Sequence, residues 1–416
     1  MIKTTRLLAV GVAAVFTLFG CAGSTPPASG PVKLTYFTFS AAPDHLTDLN
    51  SIIQAFHTKY PNVTIDVQTA AYADYFTKLQ TSIAGNAAPD TFELNYENFV
   101  SYSSAGSLLD LSSPAKADSG YNPAVYYPRA YEVFQSGGKQ YGLPESFSDV
   151  LLFYNKDLFD AAGVSYPTAD WTWSDELTAA KKLTNPAKGV FGDMQGIQFF
   201  EFYKVLAQNG GQFLSADKKS ATFNSPAGVE AAQWLIQKPG TVMPTAAQMG
   251  SQNDEAMFKA GKIAMWHAGI WEFAPNKANT FKWDIQLEPG KAKKAHHFFA
   301  NAVVASSKTT HAKEAWEWLR FLTSSNEAVQ TRLAASWELP AVADQSLFSS
   351  YLSQTPPASR QLVFKALDNI VVPPVINQQS QMQDIVGKAL DQAKLGQVPV
   401  KQALDDAAAQ VTALLK

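Results

Sequence analysis

Two hydrophobic periods alternate along the first part of the chain. Val32 to Phe39 is rich in β-formers and contains neither Pro nor Gly, which predicts a strand. Leu46, Leu49, Ile53, Phe56 and Tyr60 then recur at helical spacing, and Pro61 ends the pattern. Val63, Ile65 and Val67 alternate as a half-buried strand does. Tyr72, Phe76, Leu79 and Ile83 predict the next helix, closed by Gly85, and Thr91 to Leu94 reads as a third strand. Strand–helix–strand–helix–strand implies a mostly parallel sheet with helices on both faces. No internal repeat interrupts the pattern.

From about residue 170 helical periods dominate. Thr172 and Asp175 form a capping-box-like start for the helix carrying Leu177, Ala180 and Leu183. Ser225-Pro226 places a capping serine before a proline in the first helical position, ahead of Val229, Ala232 and Leu235. Ala302 to Ala305 predicts a buried strand, followed by a helical face of Ala312, Ala315, Trp316, Leu319 and Leu322. Val400, Ala403, Leu404, Ala407, Ala408, Val411 and Leu414 form a terminal amphipathic stripe, expected to pack on the core.

With 416 residues the chain can form two domains, since single cores stop growing at roughly 250–300 residues. Nine Trp and 26 Phe supply bulky cores, flat ligand-facing rings, or both. Net charge is −3 and no basic run is interleaved with aromatics, so a nucleic-acid partner is not expected. Lys3 and Arg6 precede an apolar stretch over 7–18, which is shorter than the roughly 20 residues that span a bilayer. The stretch ends in Leu18-Phe19-Gly20-Cys21 and is followed by a Pro/Ser/Gly segment. This resembles the lipobox of bacterial lipoproteins, in which the cysteine thiol is acylated and becomes the new N-terminus. Cys21 is the one cysteine in the chain, so no internal disulfide can form. The expectation is a signal peptide over 1–20, an anchor linker over 21–31 and an extracytoplasmic protein tethered to the cell membrane by a lipid on Cys21.

Five segments, in order, carry a resemblance. They are Tyr141-Gly142-Leu143-Pro144 with Leu151 to Phe159; Asp170 to Leu177 with Ala180 to Thr184; Phe258 to Met265 leading into Gly269-Ile270-Trp271; Asn301 to Leu322 with Leu339-Pro340; and Ala88 to Phe92 at the third strand. Together they resemble family 1 of the extracellular solute-binding proteins, the maltose-binding-protein-like group, over essentially the whole mature chain. The resemblance implies an α/β, two-lobed periplasmic-binding-protein type II fold. Each lobe would be a mostly parallel sheet flanked by helices, with the ligand in the cleft between lobes. It implies discontinuous lobes, 32–143 with 303–350 and 147–300 with 355–416, joined by two or three crossings. It also implies a sugar ligand, an ABC permease partner, a monomer, no cofactor and no metal.

A sugar offers hydroxyls and C–H faces, so its pocket needs flat rings and side chains that accept from hydroxyls. In open α/β sheets such groups lie just beyond the carboxyl ends of strands. Trp271 stands where the family's Gly-x-Trp presents a stacking ring, and Phe199-Phe200-Glu201 where its members place aromatic and carboxylate contacts. Asn95 and Glu97 follow the third strand, Phe39 and Ser40 close the first, Glu145 and Ser148 follow Gly-Leu-Pro, and Trp337 precedes Leu339-Pro340. Tyr154, Asn155 and Asp157 read as structural, as do Trp171 and Trp173. A same-fold receptor for a polyamine or phosphate ester is the alternative; the first needs acids around aromatics and the second needs Arg or Lys. An exported carbohydrate-active enzyme is more remote. The chain has no G-x-S-x-G, H-E-x-x-H or G-x-G-x-x-G, and the adjacent pair His296-His297 would point to opposite faces of a strand.

Overall fold

In a computed structural model, residues 30–335 and 338–416 are described. The signal-like segment, Cys21 and Trp337 lie outside the described residues. No helix among those described is long and apolar enough to cross a membrane.

The N-terminal pattern folds as its periods require. β1 (Val32–Thr38), α1 (Pro43–Lys59), β2 (Val63–Thr69), α2 (Tyr72–Ala84), β3 (Thr91–Asn95) and α3 (Tyr96–Ser104) follow in order. β1 lies between β2 and β3 and is parallel to both, with Val32 opposite Val63 and Tyr36 opposite Thr91. One detail of α2 differs from the expected stripe. Tyr75 and Leu79 are its buried residues, whereas Tyr72, in the first turn, is 50 % exposed.

Three later strands complete this six-stranded sheet. Phe299–Ala305 lies antiparallel to β3 and also pairs with Gly142–Ser148, which in turn pairs with Leu339–Pro340. The two-lobed α/β fold is as expected, but its strands are mixed in direction. A second sheet of Met265–Gly269, Val150–Asn155 and Trp283–Gln286 is antiparallel throughout. The reason is connectivity. Gly142–Ser148 passes through Asp149 directly into Val150–Asn155, and the chain returns through His296–His297 into Phe299–Ala305, so the outward and returning runs pair antiparallel. A third run, Ile370–Val371, pairs with His296–His297. Three strands therefore lie side by side between the two sheet systems.

The first core packs Leu34, Tyr36, Phe56 and Val303 around Trp318, whose ring meets Tyr36 and Phe56 edge-on at 5.6 and 5.1 Å. In the other half Val400–Leu414 packs on Gln379–Lys394 and Pro226–Ile236 through Ala403, Leu404, Ala407, Ala408 and Val411. The Thr172–Asp175 capping box is made in full. The Asp175 carboxylate accepts from the Thr172 amide at 2.8 Å, and the Thr172 hydroxyl accepts from the Asp175 amide at 3.4 Å. It sets Trp173 flat on Trp234, with centroids 4.8 Å apart, and lets its indole N–H donate to Gln208 at 2.9 Å. Asn155 likewise caps the helix Lys156–Ala162. Thr172→Ala removes the reciprocal pair and should cost about 1 kcal/mol in urea unfolding. An unchanged midpoint would mean that the stacked Trp pair alone fixes this helix start.

Candidate functional site: an acidic, aromatic cleft between the lobes

Between the two sheet systems lies a cavity of about 660 Å³, a size suited to a small-molecule ligand. One wall is built at the carboxyl ends of the parallel strands. It carries Phe39 and Ser40 after β1, Tyr72 after β2, and Asn95 and Glu97 at the passage from β3 to α3. The opposite wall carries Gln198, Phe200, Glu201, Asp254, His267, Trp271 and Glu272. Ser148, Val150, His297, Phe299, Asn301 and Glu338 line the region where the connecting strands run.

Each wall offers one open ring, Tyr72 at 50 % and Trp271 at 38 % exposure. Both rings are braced from behind. Phe39 meets Tyr72 edge-on at 5.3 Å, and Asn95 donates to the Tyr72 hydroxyl at 2.9 Å. Phe299 sits 6.1 Å from Trp271 and stacks on His297 at 5.0 Å. Trp271 folds back over Gly269 so closely that a Cβ there would fall 2.1 Å from its six-membered ring. The Gly-x-Trp spacing thus has a steric cause, because glycine leaves the backbone flat enough for the indole to lie on it.

The polar lining is one-sided. Glu97, Glu201, Asp254, Glu272 and Glu338 face the cavity, and among the described residues no Lys or Arg lines it. Burial pushes the Glu97 carboxyl up to about 7. Burial, then the nearby charges of Glu255 and Asp254, pushes Glu272 to about 7. Burial also raises Glu338 to about 7, reinforced by Glu145 and opposed by donation from Ser146 and Asn301. Glu97 is 3 % exposed and makes no hydrogen bond to another described residue, so its carboxyl is open to a polar group in the cavity.

The sequence of this fold matches the family model of bacterial extracellular solute-binding proteins over residues 43–328. The chain belongs to that family. This solute-binding protein is similar in structure to an ABC substrate-binding protein from Listeria monocytogenes in complex with cycloalternan. The TM-score is 0.88 at 41 % identity, covering 92 % of this chain and 98 % of that one. It is 25 % identical over 345 residues to the maltodextrin-binding protein of Bacillus subtilis, covering 79 % of this chain and 76 % of that protein. A maltooligosaccharide ABC transporter solute-binding lipoprotein of Streptococcus pneumoniae is 23 % identical over 430 residues, covering 100 % of this chain and 97 % of that protein.

The solute-binding protein brings Phe39, Ser40, Asn95, Glu97, Ser148, Phe200, Glu201 and Trp271 together around the cavity. Two residues named with them lie elsewhere. Phe199 is 3 % exposed in the helical core against Tyr203 and Phe213, because neighbours on a helix point about 100° apart and Phe200 takes the cavity side. Glu145 points away along its strand and forms a buried ion pair with Arg332. The strand register skips Glu145, the extra residue between Pro144 opposite Ala302 and Ser146 opposite Asn301, so it leaves the alternation that Ser146 and Ser148 share. Trp337 lies outside the described residues.

Sequence reasoning missed Tyr72, Asp254, Glu272, Phe299, Asn301 and Glu338. Glu272 and Glu338 each adjoin a tryptophan that had been singled out, and that adjacency was the available signal. Tyr72 was assigned to a buried stripe, and nothing in its spacing separated it from Tyr75.

Two outcomes follow from this geometry. Gly269→Ala should displace the Trp271 indole, read as a change in tryptophan emission that disappears in a Trp271→Phe background; unchanged emission would show that the wall yields without moving the ring. Glu97 holds its proton more tightly folded than at its ordinary value of 4.5. Its contribution to stability is thus complete below that value and is lost as pH rises through about 7. The melting temperature of the unliganded protein should therefore fall less between pH 5 and 8 in Glu97→Gln than in the parent, and equal falls would refute the assignment.

Proposed function

We propose that this protein is the capture subunit of an ABC importer, taking a neutral oligosaccharide into the interlobe cleft and presenting it to a membrane permease. The observation that carries this reading is the cavity itself: about 660 Å³, an open ring on each wall, carboxylates and amides between them, and no Lys or Arg in its lining among the described residues. Hydroxyls donate to the carboxylates while pyranose faces cover the rings, and the excess of acidic over basic groups disfavours anionic solutes. The sugars named for relatives, cycloalternan in complex with one and maltooligosaccharide in the transporter name of another, are of this chemistry.

On this reading the lobes are 32–143 with 303–350 and 147–300 with 355–416. A sugar held by one wall favours the closed arrangement by gaining contacts from the other. Cys21 carries the lipid that keeps the receptor at the outer face of the cell membrane, and the receptor works as a monomer. Its role ends at binding and delivery, without turnover of the sugar.

The five carboxylates give specific support to a second reading, a polyamine ligand, which the same experiment separates. Thermal melting of the chain beginning after Cys21 would be recorded with cycloalternan, maltotetraose, mannobiose and spermidine. Binding to the native state raises stability by about 2.7 kcal/mol at a hundredfold excess over Kd. A shift with one of the sugars, weakened about tenfold in affinity by Trp271→Ala, is the expected result. A shift with spermidine alone would replace the sugar by an amine.

A further inference from the structure

Behind the cleft wall, side chains of the second lobe close a ring of polar contacts. Lys204 reaches Glu288 at 2.5 Å, and Glu288 meets His267 Nδ1 at 2.7 Å. His267 Nε2 lies 3.3 Å from Glu176, which receives Lys238 at 2.6 Å. Lys238 also donates to Gln195 at 2.5 Å; Gln195 donates to Glu201 Oε2 at 3.0 Å, and Lys204 returns to the same oxygen at 2.7 Å. Asp193 braces the ring from inside, 2.6 Å from Lys238 and 3.5 Å from His267. Both imidazole nitrogens face carboxylates, so His267 donates from both as an imidazolium. Against the desolvation that opposes it, the charge of Glu176 and the bonds to Asp193, Glu176 and Glu288 hold its proton well above the usual histidine range.

The ring contains four carboxylates against three cations, and of those carboxylates Glu201 alone lines the cavity. Its Oε2 is tied twice, while Oε1 has no hydrogen-bond partner among the described residues. Beside it, 3.9 Å away, lies Nδ1 of His297. His297 Nε2 is 2.9 Å from the Phe200 carbonyl, an acceptor only, so in the neutral ring that burial favours the proton sits on Nε2, and the buried Nδ1 offers Oε1 no hydrogen. Two acceptors with no hydrogen between them favour a group that donates.

Resting on the sugar reading above, we propose that the ring holds Glu201 Oε1 as a fixed acceptor at a donor-selecting corner of the cleft. The corner takes a sugar hydroxyl or amine and rejects uronic acids, and Gln195 and Lys238 act as positioning residues for Glu201. Neither needs to touch the ligand. Gln195 is the ring's neutral link, so replacing it opens the ring without removing a charge.

Affinities for the best-bound of cycloalternan, maltotetraose and mannobiose would be measured by titration calorimetry in Glu201→Gln, Gln195→Met and their double variant, with melting curves alongside. Each single change should weaken binding about tenfold, the scale of one misplaced hydrogen bond, and the double variant should bind no more weakly than Glu201→Gln. Multiplying losses would reduce Gln195 to a structural part and overturn the proposal, as would unchanged affinity in Gln195→Met. If Gln195→Met does not fold, Gln195→Asn, too short to reach both neighbours, takes its place. A parent protein that binds none of the three sugars would sink the sugar reading itself, whereas a bound sugar indifferent to Gln195 sinks the ring alone.

Discussion

Two lysines bury their ammonium groups in the second lobe with almost no exposure, and much of that lobe is arranged to make this tolerable. Leaving one such ion without its partner costs about 3–5 kcal/mol, a large share of a total stability of roughly 5–15. Each lysine therefore dictates the position of at least two carboxylates. Those carboxylates come from separate segments: Glu176 from the capped helix Trp173–Leu183, Asp193 from a loop, Glu201 from the helix Phe199–Gln208 and Glu288 from beyond the strand Trp283–Gln286. The ion contacts tie these segments at fixed distances, and the cleft wall is their outer surface. Asp193 and Glu288 are held below the usual carboxylate range despite burial, chiefly by Lys238 and Lys204, so the network behind the wall keeps its charge.

The first lobe solves a different problem. Glu93, buried, and Glu338, partly buried, have hydroxyl and amide partners, and desolvation leaves both reluctant to ionise. Glu145 is paired with Arg332. The cleft therefore combines carboxyls that can donate as well as accept, those of Glu97, Glu272 and Glu338, with a wall held from behind by a charged network. A hydroxyl does both, which suits a polyol lying across the two.

Much of the fold was legible because it rests on local patterns: the alternating periods of residues 32–95, the Thr172–Asp175 box and the terminal alanine-rich stripe. Strand direction beyond β3 was not legible. It depends on Gly142–Ser148 running through Asp149 into a second sheet, and no property of residues 142–155 taken alone marks a strand shared by two sheets. For the site, residues after strands could be named, but which neighbour faces the cavity could not. Phe199 and Phe200 are chemically identical, and only the start of the helix at Phe199 separates them. The ring was invisible for another reason: its members are scattered from Glu176 to Glu288, and an isolated lysine in sequence looks like any solvated one.

The central position of Phe299–Ala305 in the six-stranded sheet sets an order of events for the growing chain. That strand separates β3 from Gly142–Ser148, so those two, though made long before, have no shared edge until it arrives. About three-quarters of the polypeptide must emerge before the first lobe can close its sheet, and contacts so distant in sequence form slowly. A nascent chain of this design keeps that sheet incomplete until most of its length is available, a property that a protein moved across a membrane before folding would need.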